Sequence, residues 1–574
     1  MPTLDWIGKD KVVNHHMDVP YRVLEKKYTY GEDSDNMIIH GDNLSALKSL
    51  LPQYEGRIKC IYIDPPYNTG NENWVYNDNV NDPRIVEWLG KVVGAEGEDL
   101  SRHDKWLCMM YPRLKLLHKL LAEDGVIFIS IDDNEYVNLK MICDKIFGSN
   151  CFVSNISWQR TYSTRNDSKG IVNEVEHILV YSKVQGWQPN KLPRTAEMNA
   201  KYKNPDNDVA MWRSDNAYAP GAATHQGMVY AIQHPFTGEL LYPSNGSCWR
   251  YQQYEMLSIM CGWCDYELRD LNDAHERAVV CGVADDEVKQ GVKGIVLSES
   301  LEVSLSKAKA VYKRGQWPRF FFSKGGMGGI ARKTYLENVG GKLPTNLWLF
   351  KDTGHTDEAK KEIMAIFEGK AVFDTPKPER LIEYVMTIAG DKDTLILDSF
   401  AGSGATAHAV LNMNKADGGS RKFILIEMMD YADTITAERV KRVIDGYGEG
   451  KKAVEGTGGG FAYYELGEKL LDGEYLNEEV GVEKIREYVY FTETKEKVTD
   501  KPDEPYYLGM AFDTAYYFYY EKYKVTTLDW AFLETIKTKA AGYVIYADKC
   551  ILTDEELEKY HITFKKIPRD ITRL

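Results

Sequence analysis

Short apolar and β-branched runs alternate with stretches of helical spacing in two separate parts of the chain. In the first part, Met37–His40 (MIIH), Ile58–Asp64 (IKCIYID) and Gly125–Ile131 (GVIFISI) read as strands. A helix is predicted over Pro112–Leu121, where Leu114, Leu117 and Leu121 recur near helical spacing and Pro112 suits the first turn. His177–Lys183 (HILVYSK) predicts another strand. In the second part, Thr394–Ser399 (TLILDS) and Lys422–Glu427 (KFILIE) read as strands, with a helix over Ala405–Met413 between them. Strand, glycine-rich turn, helix and strand in that order predict a parallel α/β unit.

The chain between these parts has a different character. From about 184 to 350 it is rich in Tyr, Trp, Gly and Asn, with turn clusters such as YPSNGS and KGGMGG and little periodicity. This pattern predicts a domain inserted between two halves of one sheet, 1–183 and 351–446. A linker-like GYGEGKKAVEGTGGG (Gly446–Gly460) leads into a C-terminal domain over 447–574, with aromatic-rich AYYFYYEKY (Ala515–Tyr523) and strand-like GYVIYADKCIL (Gly542–Leu552). No internal repeat is apparent.

Composition narrows the class. At 574 residues the chain exceeds one compact core, and 43% hydrophobic with 27% charged residues is ordinary for a globular protein. No run of about 18 apolar residues occurs, and MPTLDWIGKDKVV has no apolar leader core, so no membrane segment is expected. Nine scattered cysteines suit a reducing cytoplasm. The net charge of −15 is awkward for a nucleic-acid partner, but local distribution decides that question. Acids dominate Glu465–Glu487 and Asp554–Glu558, whereas Val311–Thr334 carries Lys313, Arg314, Arg319, Lys324, Arg332 and Lys333 with no acid. That run fits a phosphate-tracking surface, and fits a plain solvated face as well.

Two strings carry chemistry. Cys60–Tyr67 reads CIYIDPPY: a strand stopped by two prolines, leaving a carboxylate, backbone carbonyls and a ring at its carboxyl end. Open α/β sheets bind ligands at that edge. An exocyclic base amine is a poor nucleophile, because its lone pair is delocalised into the ring. Acceptors on both N–H bonds favour the tetrahedral nitrogen that forms as the amine attacks. Asp64 and the Pro65 carbonyl can supply them, with Tyr67 stacked on an extruded base. The alternative is an ordinary Asp-Pro turn. Leu395–Gly404 reads LILDSFAGSG, in which Gly402 and Gly404 allow a tight turn and close approach of backbone to ligand. Ala407 stands where a dinucleotide fingerprint has its third glycine, so this loop alone leaves NAD open. Glu427, ending the next strand, could hold the ribose of any adenosine cofactor.

Together these strings resemble the amino-group DNA methyltransferases of the β arrangement, in which DPPY precedes FxGxG. HGDNL (His40–Leu44), FDTPKPERL (Phe373–Leu381) and NEVEHILVYSK (Asn173–Lys183) extend the resemblance over about residues 35 to 445. The resemblance implies an α/β fold: a Rossmann-like S-adenosylmethionine-dependent methyltransferase sheet in permuted motif order, with an inserted target-recognition domain (184–350) and a C-terminal α+β domain. It implies that Asp64, Pro65, Pro66 and Tyr67 form the catalytic motif. Phe400, Gly402 and Gly404 would form the S-adenosylmethionine loop, with Asp398 near the methionine amine, Glu427 on the ribose, Asp42 on the adenine and Lys377 close by.

DPPY leans towards adenine N6, with cytosine N4 open. No family-like Pro-Cys nucleophile for ring-carbon methylation is found. Arg250 in CWRYQQY (Cys248–Tyr254) and the basic run would contact double-stranded DNA, although aromatic packing explains such loops equally well. Length and motif order look most like the Mod subunits of type III restriction–modification systems. This implies a homodimer and, since no P-loop is present, a separate restriction subunit as nuclease and motor. An orphan methyltransferase, an RNA or protein amine methyltransferase, and a non-catalytic DNA-binding protein are the other readings. Cys261, Cys264, His275 and Cys281 have a zinc-like look, but Cys264–Cys281 reads as a plain polar helix and no metal is expected.

Overall fold

The computed structural model describes residues 4–69, 102–162, 170–473 and 475–569. Two compact units emerge, residues 191–343 and the remainder of the chain. The larger unit is built on a ten-stranded sheet. Its strands are β1 (Arg22–Gly31), β2 (Met37–His40), β3 (Ile58–Ile63), β4 (Leu121–Ile131), β5 (Phe152–Gln159), β6 (Val175–Ser182), β7 (Leu347–Trp348), β8 (Leu395–Asp398), β9 (Lys422–Glu427) and β10 (Gly460–Lys469). They lie in the order β1-β10-β2-β9-β8-β3-β4-β6-β5-β7. The run from β10 to β4 is parallel. β6 is antiparallel to β4, β5 to β6, and β1 to β10.

The apolar runs are continuous because both faces of these strands are covered. Ile61, Ile63, Ile127, Ile129, Leu397, Ile424 and Ile426 share one core with α1 (Asn43–Tyr54), α2 (Arg102–Leu120) and α3 (Tyr136–Phe147). The alternate residues face the other side, where α4 (Glu379–Ala389) packs on β3 and β4, and α5 (Ala405–Asp417) packs on β9 and against α6 (Glu438–Asp445). In α4, Leu381, Ile382, Val385, Met386 and Ala389 form one buried stripe, and Gly390 ends the helix.

Pro112 stands inside α2 rather than in its first turn. Trp106, Leu107, Met110, Tyr111 and Leu114 are all buried, and this packing carries the helix through a residue that cannot donate to it. The linker-like run ends in β10, which pairs with β1 and β2, so residues beyond 446 supply a strand of the central sheet. Further on, α7 (Val482–Thr494) and a four-stranded sheet follow. Its strands are β11 (Tyr507–Ala511), β12 (Thr514–Phe518), β13 (Gly542–Ala547) and β14 (Ile562–Lys566).

The unit 191–343 holds a four-stranded and a three-stranded sheet around an aromatic core that includes Trp212, Trp249, Trp263, Phe320, Phe321 and Phe322. Trp249 of the CWRYQQY loop is therefore core. The stretch expected as one polar helix is a strand, Tyr266–Arg269, followed by a helix, Ala274–Cys281.

Candidate active site at the carboxyl edge of the sheet

The order of strand succession reverses between the parallel neighbours β3 and β8. The strand after β3 in sequence, β4, lies on its far side, and the strand after β8, β9, lies on the opposite side. Neighbouring connections thus diverge and leave a crevice at the carboxyl ends of these two strands. An acid stands at the end of each of five neighbouring parallel strands there. Across the sheet they run Asp42 after β2, Glu427 in β9, Asp398 in β8, Asp64 after β3 and Asp132 after β4.

A cavity of about 220 Å³ opens between β3 and β8, lined by Asp64, Pro65, Tyr67, Lys377, Asp398, Phe400 and Gly402 among others. Lys377 stands directly on the Asp64 carboxylate, its Nζ 2.8 Å from Oδ1 and 2.7 Å from Oδ2, and it donates to the Tyr67 hydroxyl at 2.9 Å. The Tyr67 hydroxyl reaches Asp64 Oδ1 at 2.8 Å and Glu176 Oε2 at 3.1 Å. Burial pushes the Asp64 carboxyl above the usual range, and Lys377 offsets part of that rise. Pro66 accepts the Trp106 indole N–H at 2.7 Å, which anchors the motif to α2.

Around the glycine turn, Asp398 accepts the Phe400 N–H at 3.0 Å and the Thr406 hydroxyl at 2.6 Å. Glu427 accepts the N–H groups of Gly402 at 2.8 Å and Met429 at 3.0 Å. Burial pushes both carboxyls up to about 7, against those donors. Gly402 (φ 50°) and Gly404 (φ 81°) are left-handed, and a Cβ on either would sit 3.2 Å from the Phe373 ring or 3.1 Å from the Thr436 carbonyl. Asp42 caps α1 through the N–H groups of Leu44 and Ser45, and pairs with Arg113 at 3.1 Å. Glu427, Gly404 and Asp42 do not line the cavity itself.

Several residues of this edge were not anticipated. Glu176 is buried in β6 and held by Arg160 at 3.0 Å. Asn68, left-handed at φ 59° and fully buried, donates to Glu135 at 2.5 Å. Asn43 donates to the Ser399 carbonyl at 3.1 Å. Only Arg113, the partner of Asn43, carried a local signal, a charge on the buried stripe of α2; Glu176, just before the run HILVY, reads as a strand-end charge.

Of the basic positions, Arg250, Lys313, Arg314, Arg319 and Lys324 are exposed. Arg319 lies over the Tyr251 ring at 5.5 Å. Arg332 is partly buried and paired with Asp215 at 2.9 Å. Lys333 cannot face a nucleic acid. Its side chain is 0% exposed, bonded to Asp206, to Asp208 at 2.5 Å and to the Trp317 carbonyl at 2.7 Å. The zinc-like residues have other contacts. His275 pairs with Asp285 at 3.0 Å, and Cys264 and Cys281 lie in separate cores.

Residues 58–438, two thirds of the chain, match the DNA methylase family. The chain belongs to that family. Among its relatives is the type II methyltransferase M.KpnI of Klebsiella pneumoniae, 31% identical over 69% of this chain and 81% of that protein. The type III restriction-modification enzyme StyLTI Mod subunit of Salmonella typhimurium is 32% identical over 77% of this chain and 62% of the relative. For the EcoPI Mod subunit of Escherichia phage P1 the figures are 28%, 74% and 63%. The chain thus spans somewhat over three fifths of these Mod subunits. A solved structure of PvuII DNA methyltransferase (cytosine-N4-specific) aligns with a TM-score of 0.33 and 13% identity, over 73% of this chain and 89% of that one. Among the described residues, no helix is long and apolar enough to cross a membrane.

Proposed function

We propose that this protein transfers a methyl group from S-adenosylmethionine to the exocyclic amine of a base extruded from duplex DNA, adenine N6, as the modification subunit of a restriction–modification system. The observation that carries this reading is the Asp64 carboxylate, set with Tyr67 in a cavity whose opposite wall is the glycine turn.

The residues of that turn suit the cofactor. Two buried carboxyls, Asp398 and Glu427, stand beside it, and the buried hydroxyls of Ser399 and Tyr431 have no hydrogen-bond partner among the described residues. Glu427 would take the ribose hydroxyls and Asp398 the methionine amine, with Asp42 towards the adenine. When bound, S-adenosylmethionine supplies an electrophilic methyl on a sulfonium. Asp64 accepts one amine N–H and the Pro65 carbonyl accepts the other, concentrating the lone pair on nitrogen while Tyr67 packs on the base. Held there, the amine nitrogen would take up that methyl, with loss of the cofactor's own C–S bond. One amine proton then leaves to Asp64, whose buried carboxyl is readier than usual to hold it.

In this reading the sheet is the permuted methyltransferase arrangement, with the amine motif on β3 and the cofactor motif on β8. The unit 191–343 reads the target sequence, its exposed Arg250, Lys313, Arg314, Arg319 and Lys324 meeting phosphates and base edges. The C-terminal region serves dimerisation or docking of a separate restriction subunit, and the likeness to Mod subunits of type III enzymes supports the existence of that subunit. The test is methyl transfer from labelled S-adenosylmethionine to unmethylated bacterial genomic DNA, with nucleoside analysis of the product. N6-methyladenine is expected. N4-methylcytosine would change the base and keep the chemistry, and transfer only to RNA or protein would overturn the reading.

A further inference from the structure

The Asp64 carboxylate is already engaged. Lys377 bonds both of its oxygens and the Tyr67 hydroxyl takes Oδ1 again, so the acceptors that an amine substrate needs are held by an ammonium. A charge-assisted bond from an ammonium is stronger than one from a neutral amine, so an amine alone is a poor competitor for Asp64. A second carboxylate stands beside the first. Glu176 Oε2 is 3.6 Å from the same Nζ, and Arg160 secures Glu176 through the other oxygen, Oε1, at 3.0 Å. The Tyr67 hydroxyl already spans the two acids. The rings of Tyr67 and Trp158, 5.0 and 5.9 Å from Nζ, keep the ammonium between them.

We propose that Glu176 is a positioning residue for the transfer: it receives the Lys377 ammonium when the target amine docks, and so releases the Asp64 oxygens to the substrate. The Lys377 side chain moves between two carboxylates on either side of the Tyr67 hydroxyl, and its charge is balanced in both positions. Arg160 fixes Glu176 so that Oε2 stays turned to that route. This inference rests on the amine-methylation reading above and names a residue of that same site.

A double-mutant cycle between Glu176→Gln and Lys377→Met tests it, run on the full chain with DNA that the wild type methylates. If the wild type methylates no nucleic acid, the reading beneath the inference fails, whatever Glu176 does. Given an active wild type, Glu176→Gln is expected to lower kcat on the order of 30-fold, with the dissociation constant for S-adenosylmethionine unchanged. In the Lys377→Met background, already impaired, the same change is expected to cost less than about threefold, because no ammonium remains to be received. Glu176→Asp keeps the charge and should restore most of the rate; it also carries the cycle if Glu176→Gln fails to fold. An equal loss from Glu176→Gln in both backgrounds would overturn the proposal in favour of direct contact with the base, and a wild-type kcat for Glu176→Gln would overturn it outright.

Discussion

Two lysine–aspartate pairs in this molecule, one buried and one half-buried, have the same chemistry and different surroundings. Lys333, in the unit 191–343, gives its three N–H bonds to Asp206, Asp208 and the Trp317 carbonyl, with the Trp212 ring 5.0 Å away. The partner acids are equally engaged: Asp206 takes the Trp212 indole and the Trp317 N–H, each at 2.8 Å, and Asp208 takes the Tyr335 hydroxyl at 2.7 Å. Burial alone would raise the Asp208 carboxyl, but Lys333 and Tyr335 overcome it and hold that group below the usual range. Lys377 and Asp64 instead line a cavity, with a second acid beside the ammonium and a carboxyl that burial keeps high. The first pair is closed on itself and holds a domain together. The second is open to a ligand, and the opening rather than the ion pair marks the site.

Removing one partner should separate the two. Lys333→Met leaves two uncompensated buried carboxylates and is expected to destabilise the unit by about 3–5 kcal/mol, read as a fall in its unfolding midpoint in denaturant. Lys377→Met should cost far less stability, since its acids line an open cavity and are half-buried or held by Arg160. A smaller drop for Lys333 than for Lys377 would break the comparison.

Next in size is Glu427. Its carboxyl titrates near 7 in the free protein, against about 4.3 in an unfolded chain. Between those values the folded state binds the extra proton, so this group's contribution to stability falls as pH rises. Glu427→Gln removes that slope, and its unfolding temperature should therefore gain on wild type from pH 5 to pH 8. The same change should weaken S-adenosylmethionine binding about tenfold at pH 8, through loss of bonds to a charged acceptor. Wild-type affinity should rise from pH 6 to pH 8 as Glu427 and Asp398 both ionise, and the variant, left with Asp398 alone, should rise less. Calorimetric titration at the two pH values checks both.

The smallest effects belong to the exposed basic residues. Lys313→Ala and Arg314→Ala should each weaken DNA binding a few-fold and reduce the salt slope by about one, measured by anisotropy across salt concentrations. A variant that folds normally and leaves the slope unchanged would remove its residue from the phosphate-contacting surface.

The contrast also marks what the sequence could reveal. The strands ending at Ile63, Asp398 and Glu427 were legible because they are apolar runs cut by proline, glycine or an acid, and these local features put Asp64 and the glycine turn at one sheet edge. Lys333 was misread as a nucleic-acid contact because its partners lie more than a hundred residues earlier, in Asp206 and Asp208, and a local charge run does not contain them. Glu176 and Arg160 were missed for a similar reason: each looks like a solvated strand-end charge until the fold brings Glu176 to Lys377 and Tyr67, and Arg160 to Glu176. Pro112 shows the opposite case, a local rule overridden by the packing of a long buried helix.

If the open pair is the chemical one, Asp64→Ala removes methyl transfer and spares cofactor binding. Single-turnover methyl transfer to DNA should be measured beside S-adenosylmethionine binding for wild type and variant. The expected result is binding within a few-fold of wild type with transfer reduced at least about 100-fold. Transfer within tenfold of wild type by the folded, cofactor-bound variant would contradict the account.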